Sequence, residues 1–147
     1  MLVRDVMTPD PVACMPDDRV ETAAKIMMDR DCGAVPIVDS QEFRHLVGIV
    51  TDRDIVMRLI ARGRNPIGVP LHECMTTPVF TVRPDDTVEE VARVMQERQV
   101  RRVPVIDSGN VLVGIVAMAD LARASGDEEM LGEVLEEVSE PVLTMVG

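Results

Sequence analysis

Apolar positions along the chain repeat with two different periods. Val20, Ala23, Ala24 and Met27 fall at i, i+3, i+4 and i+7, and so do Val88, Val91, Ala92 and Met95. That spacing puts one apolar face on a helix of about three turns. The stretches "AVPIVD" (34–39) and "RVPVID" (102–107) are continuous apolar runs entered through a proline. They read as β-branched, largely buried strands. "LVGIV" follows at 46–50 and again at 112–116, each a second strand, with a further helix opening near Asp52 or Met118. Short extended pieces, Val12–Met15 and Val79–Val82, precede the first helix of each set. Asp18 stands three residues before Glu21, and Asp86 three before Glu89, which predicts capping boxes with Asp in the usual Ser/Thr place.

The two sets are one unit written twice. Sliding the chain by 68 residues aligns Met7–Ser40 with Met75–Ser108, and 14 of those 34 positions are identical. Unrelated segments of average composition would share about two or three. Past a loop two residues shorter in the second copy, Leu46–Asp54 aligns with Leu112–Asp120, with 6 of 9 identical. This is an internal duplication. The expected organisation is a first motif over 1–63, a Gly- and Pro-bearing linker over 64–70, a second motif over 71–126, and a C-terminal segment over 127–147. The expected fold class is α/β (α+β), with the order β-α-β-β-α in each copy. A core of ~60 residues is marginal alone. Two copies docked about a pseudo-two-fold axis bury what neither hides, and the docking creates two equivalent clefts of the kind that small ligands occupy. In the tail, Met130, Leu131, Val134, Leu135 and Val138 follow Asp127, which predicts an amphipathic helix covering the module or pairing with a partner subunit.

Composition narrows the partners. Of 147 residues 46% are hydrophobic but only 1% aromatic, so the core is aliphatic and Met-rich. A formal net charge of −11 argues against a nucleic-acid partner, which needs a basic face. No apolar run approaches the ~20 residues that span a bilayer, and "MLVRDVMTPD" lacks a signal-peptide core, so no membrane partner and a cytoplasmic location are expected. Cys14, Cys32 and Cys74 are an odd set without C-x-x-C spacing and read as small, half-buried apolar residues. Zinc would require Cys14, Cys32 and His45 or His72 to converge in the fold.

The candidate chemistry lies where the copies differ. "TDRD" (51–54) follows a buried strand and opens a helix, where first-turn N–H groups and the helix dipole favour an anion. The Thr51 hydroxyl can add a hydrogen bond, and Asp54 can accept from both hydroxyls of a ribose. A capping box with no ligand explains the same spacing. The second copy keeps Asp120 but has Ala117 in place of the Thr, which a pure capping box does not predict. Arg101 and Arg102 enter the strand of the second copy where the first has Gly33 and Ala34. They suit phosphate oxygens, or they guard a sheet edge.

Met-Thr, "VRPDDTVEEV", "RRVPVID", "LVGIV" and then T-x-x-D, an order written twice with the Thr replaced by Ala117 in the second copy, resemble the CBS motif; the chain is similar to a tandem CBS pair, or Bateman module, of the stand-alone bacterial type. The resemblance covers residues 2–125. It implies a homodimer, a disc of four motifs, and clefts for adenosine-containing ligands: AMP, ADP, ATP, S-adenosylmethionine or NAD. Carried over, one cleft combines Thr51 and Asp54 with Phe80, Arg101, Arg102 and Val103, and suits a phosphorylated adenosine. The other combines Asp120 with Cys14, Gly33, Ala34 and Val35. Lacking both Thr and Arg, it suits an uncharged or cationic adenosine compound such as S-adenosylmethionine, or stays empty.

The sequence holds no H-E-x-x-H, P-loop or Ser-His-Asp spacing, so a regulatory sensor without catalysis or required cofactor is expected. The alternative is a dimeric interaction protein with vestigial sites, acting through its surface, its C-terminal helix and an unidentified regulated protein.

Overall fold

The computed structural model describes residues 1–125. The elements run β1 (Thr8–Pro9), α1 (Val20–Arg30), β2 (Ala34–Val38), β3 (Leu46–Thr51), α2 (Asp52–Arg58), α3 (Val88–Arg98), β4 (Arg102–Ile106), β5 (Leu112–Ala117) and α4 (Met118–Ser125), with 3₁₀ turns at Val3–Asp5, Ile60–Arg62 and Leu71–Glu73. The helices and strands that the periodicity predicts are present. The mixed α/β class is as expected. The amphipathic helix expected over 127–140 lies outside the described residues.

The chain divides into two compact units, and the division does not follow the copy boundaries. One unit comprises Asp10–Phe80 with Ile106–Val113; the other comprises Met1–Pro9, Thr81–Val105 and, among the described residues, 114–125. The opening segment of each copy has been exchanged. Thr8 and Pro9 pair with Ile115 and Gly114 of β5, and Thr76 of the second copy pairs with Ile49 of β3. Glycine explains why both exchanges are possible. A Cβ on Gly48 would lie 2.8 Å from the Met75 sulfur, and one on Gly114 would lie 2.5 Å from the Met7 sulfur. Each "LVGIV" strand therefore accepts a Met-Thr segment because its central residue has no side chain.

In the first unit β2 and β3 form an antiparallel pair, Val35 opposite Val50, with a bulge between Ile37 and Val38. All five residues of β2 are buried, as its unbroken apolar run requires. Val20, Ala23 and Met27 of α1 pack with Val35, Ile37, Val50, Ile55, Leu59, Leu71, Cys14 and Cys74. The linker is fixed rather than loose. Val20 N–H donates to Val69 O, and Glu21 accepts from Gly68 N–H at 3.0 Å. Gly68 has φ +85°, a conformation that glycine adopts without strain.

In the other unit the strand order is β1-β5-β4. Val88, Val91, Ala92 and Met95 of α3 are buried, together with Val103, Val105, Val116, Met118 and Leu121. α1 and α3 end alike: Asp31 and Gln99 are left-handed, and Cys32 and Val100 N–H groups reach back to Met27 and Met95 carbonyls.

Two local expectations are corrected. The extended pieces at 12–15 and 79–82 make single parallel bridges, Cys14 with Ile37 and Val82 with Val105, rather than strands. Nor do Asp18 and Asp86 cap helices. Each carboxylate accepts from the N–H three residues earlier, Met15 and Arg83, at 2.8 Å. The Pro-Asp-Asp turns consume them, and the helices begin one residue later, at caps Arg19 and Thr87. Only Thr87 caps with its side chain, accepting from Glu90 N–H at 3.4 Å.

Candidate functional site

The β3–α2 junction is built from a short polar sequence at the end of a buried strand. Thr51 is extended, at φ −118° and ψ 161°, and serves as N-cap of α2. Its hydroxyl oxygen accepts from Asp54 N–H at 3.0 Å, and its own N–H donates to Asp54 Oδ2 at 3.0 Å. The capping box is therefore fully made. More holds Asp54 than a cap requires. The Thr76 hydroxyl lies 3.1 Å from both carboxylate oxygens. Arg58 Nε stands 3.6 Å from Oδ1, one turn on along α2. Arg58 Nη1 also donates to the Met75 carbonyl at 3.0 Å. Only 12% of the Asp54 side chain is exposed.

The other first-turn donors of α2 are occupied as well. Asp52 N–H donates to Gly33 O at 3.0 Å, and Arg53 N–H donates to the Asp52 carboxylate at 2.8 Å. The free N–H groups expected for an anion are thus satisfied within the chain, and two carboxylates share the first turn. One donor persists: having accepted from Asp54, the Thr51 hydroxyl keeps its own proton to give. A carboxylate offers about four acceptor directions, so Asp54 retains acceptor capacity beside Thr51 and Thr76.

The β5–α4 junction repeats the backbone and changes the chemistry. Met118 N–H donates to Arg101 O at 2.8 Å, the counterpart of the Asp52–Gly33 bond. Asp120 pairs with Arg123 Nη2 at 2.8 Å, and 40% of its side chain is exposed. Arg101 is exposed and Arg102 half-buried at the entry to β4.

The candidate residues fall into both units. Thr51, Asp54, Cys14, Gly33, Ala34, Val35 and Phe80 belong to one, and Arg101, Arg102, Val103 and Asp120 to the other. Val35 and Val103 are fully buried strand residues. Cys14 sits in the aliphatic core, its N–H donating to Pro36 O and its carbonyl accepting from Val38 N–H. Gly33 lies against the Asp52 carboxylate, 3.0 Å from where its Cβ would be. Phe80 is half-buried.

Burial, with help from Asp18, pushes the Cys14 thiol up to about 11, and burial, then the Asp54 charge, raises Cys74. Both remain thiols at neutral pH, the opposite of what a nucleophile needs. His45 Nδ1 lies 2.8 Å from Asp39 Oδ2, and that hydrogen bond above all holds the Asp39 carboxyl below its ordinary range. Among the described residues no three His, Cys, Asp or Glu side chains converge as metal ligands.

Thr76, Arg58 and Asp52 were missed by the sequence reading. The Asp54–Arg58 spacing of four was a visible signal for one of them. The repeated Met-Thr was another for Thr76, but which strand it would join was not written in the spacing.

The CBS domain family model matches residues 3–61 and 71–127. The CBS domain-containing protein YhcV of Bacillus subtilis is 35% identical over 137 residues, 93% of this chain and 94% of that protein. Among solved structures, Hypoxic Response Protein I with two coordinated zinc ions superposes with TM-score 0.73 at 36% identity, covering 84% of this chain and 98% of that one. The CBS domain pair of MJ0100, in complex with 5′-methylthioadenosine and S-adenosylmethionine, gives TM-score 0.72 at 32% identity, covering 86% and 96%. CBSX2 in complex with AMP gives 0.70 at 27%, covering 84% and 95%. No helix among the described residues is long and apolar enough to cross a membrane. With two matched motifs, a mixed α/β fold and relatives of the same length, the chain belongs to the CBS domain family as a tandem pair.

Proposed function

We propose that this chain is a regulatory module that binds an adenosine-containing ligand and performs no chemistry on it. The observation that carries the reading is the Asp54 carboxylate. It is fixed by Thr51 and Thr76, stands beside Arg58, and keeps acceptor capacity for the vicinal hydroxyls of a ribose. MJ0100 and CBSX2 hold adenosine compounds on the same fold. For the phosphate end of the ligand, the family resemblance implies roles for the Thr51 hydroxyl, Arg101 and Arg102. A second site, around Asp120, has no Thr partner for its acid, which is paired with Arg123 instead, and takes a compound such as S-adenosylmethionine. The module works as a homodimer in the cytoplasm, where its three free thiols are kept reduced. A ligand acts as a signal by binding one arrangement of the copies better than another.

Calorimetric titration of the full chain with adenosine, AMP, ADP, ATP and S-adenosylmethionine tests this. Arg102→Ala should weaken AMP by about tenfold while leaving adenosine nearly unchanged, the loss expected for one charge-assisted hydrogen bond. Equal losses for both ligands sink the phosphate role.

The satisfied donors of the α2 first turn, with Asp52 and Asp54 crowding it, favour the rival reading of a dimeric interaction protein with vestigial sites. A melting-temperature panel separates the two. A ligand at 100 times its Kd adds ~2.7 kcal/mol, several degrees for a chain of this size. No shift with any adenosine compound favours the rival.

A further inference from the structure

The Met75–Thr76 segment lies outside the T-x-x-D motif, yet it reaches the Asp54 carboxylate. Thr76 and Ile49 exchange both backbone hydrogen bonds, at 2.7 and 3.1 Å. The Met75 side chain lies over Gly48, and the Met75 carbonyl accepts from Arg58 at 3.0 Å. Backbone pairing, side-chain packing and a guanidinium thus all fix where the Thr76 hydroxyl stands. That hydroxyl is equidistant, at 3.1 Å, from the two oxygens of Asp54.

We propose that Thr76 is a positioning residue for ribose recognition: anchored on β3, its hydroxyl holds the Asp54 carboxylate in the orientation that receives both ribose hydroxyls. This rests on the adenosine reading above and assigns to a residue of the second copy a part in the first copy's site. The carboxylate has rotational freedom about its own bond, and Thr51 N–H restrains only Oδ2. Without Thr76 the group turns toward Arg58, whose Nε already stands 3.6 Å from Oδ1. One ribose hydroxyl then loses its acceptor. Thr76 spends a single proton on the carboxylate, so it orients the group without filling it.

The measurement is the ratio of affinities for adenosine and 2′-deoxyadenosine, by calorimetry on the full chain. The wild-type chain should prefer adenosine by about tenfold or more, the worth of one hydrogen bond to a charged acceptor. Thr76→Val, nearly isosteric but without the hydroxyl, should bring the ratio toward one. Thr76→Ser should restore it. Both ligands meet the same folded fraction, so the ratio reads the carboxylate even if the Val variant is less stable. A wild-type preference that survives in Thr76→Val overturns the role of Thr76 and leaves the adenosine reading standing. A wild-type chain that binds neither compound, or both equally, overturns ribose recognition by Asp54 and this role with it.

Discussion

Asp54 and Asp120 occupy the same place in the two copies and live in different surroundings. Both stand in the first turn of a helix that leaves an "LVGIV" strand, and both junctions are closed by the same backbone bond to the residue preceding the partner strand. Asp54 is 12% exposed and engages Thr51, Thr76 and Arg58. Asp120 is 40% exposed and engages Arg123 alone among the described partners. Backbone architecture was duplicated with the sequence, whereas side-chain chemistry was not. A duplicated scaffold therefore does not imply two equivalent sites. The first junction is rigid and acceptor-rich, and the second is a surface ion pair.

Removing each acid in turn is the strongest way to break this contrast. Asp54→Ala deletes half of a capping box and leaves the Thr76 hydroxyl and Thr51 N–H without their acceptor in a nearly closed site. A cap is worth ~1 kcal/mol and a lost bond to a charged group ~1.5–3 kcal/mol, so about 2–3 kcal/mol of stability should disappear. Asp120→Ala breaks an exposed i,i+3 pair, worth under ~1 kcal/mol. Urea unfolding of the two variants checks the difference. Equal midpoints would show that the Asp54 network contributes no more than a surface pair.

Much of this was legible in the sequence because duplication supplies its own control. Features that recur in both copies, such as the apolar faces of α1 and α3 or the "LVGIV" strands, are fixed by burial, which the pattern of side chains encodes directly. The Thr51–Asp54 pair was legible too, since a cap depends on residues three apart. What the sequence hid was non-local. The exchange of Met7-Thr8 and Met75-Thr76 between strands depends on Gly48 and Gly114 leaving room, and nothing in the spacing says which strand a segment will join. Thr76 was invisible as a partner of Asp54 for that reason. The Asp18 and Asp86 caps failed for a local one. A Pro-Asp-Asp turn offers the carboxylate the N–H of Met15 or Arg83 before the helix has begun, and a side chain committed there cannot also cap.

A finer test transfers chemistry between the copies. Thr51→Ala makes the first junction resemble the second, and the lost cap should cost about 1 kcal/mol, a shift of a few degrees in melting temperature. The reverse exchange, Ala117→Thr, places a hydroxyl at the end of β5, three residues before Asp120. The backbone there already matches the first junction, with Met118 N–H bonded to Arg101 O. If side chains alone distinguish the junctions, the introduced hydroxyl caps the N–H of Asp120, and the carboxylate turns from Arg123 toward the N–H of residue 117. The gain should be small, about 0.5 kcal/mol, because an exposed ion pair is given up for a cap. Thermal melting reads the stability, and a crystal structure of the variant reads the Asp120–Arg123 distance, now 2.8 Å. A variant whose Asp120 stays on Arg123 and whose stability falls would show that the junctions differ in backbone as well as in side chain.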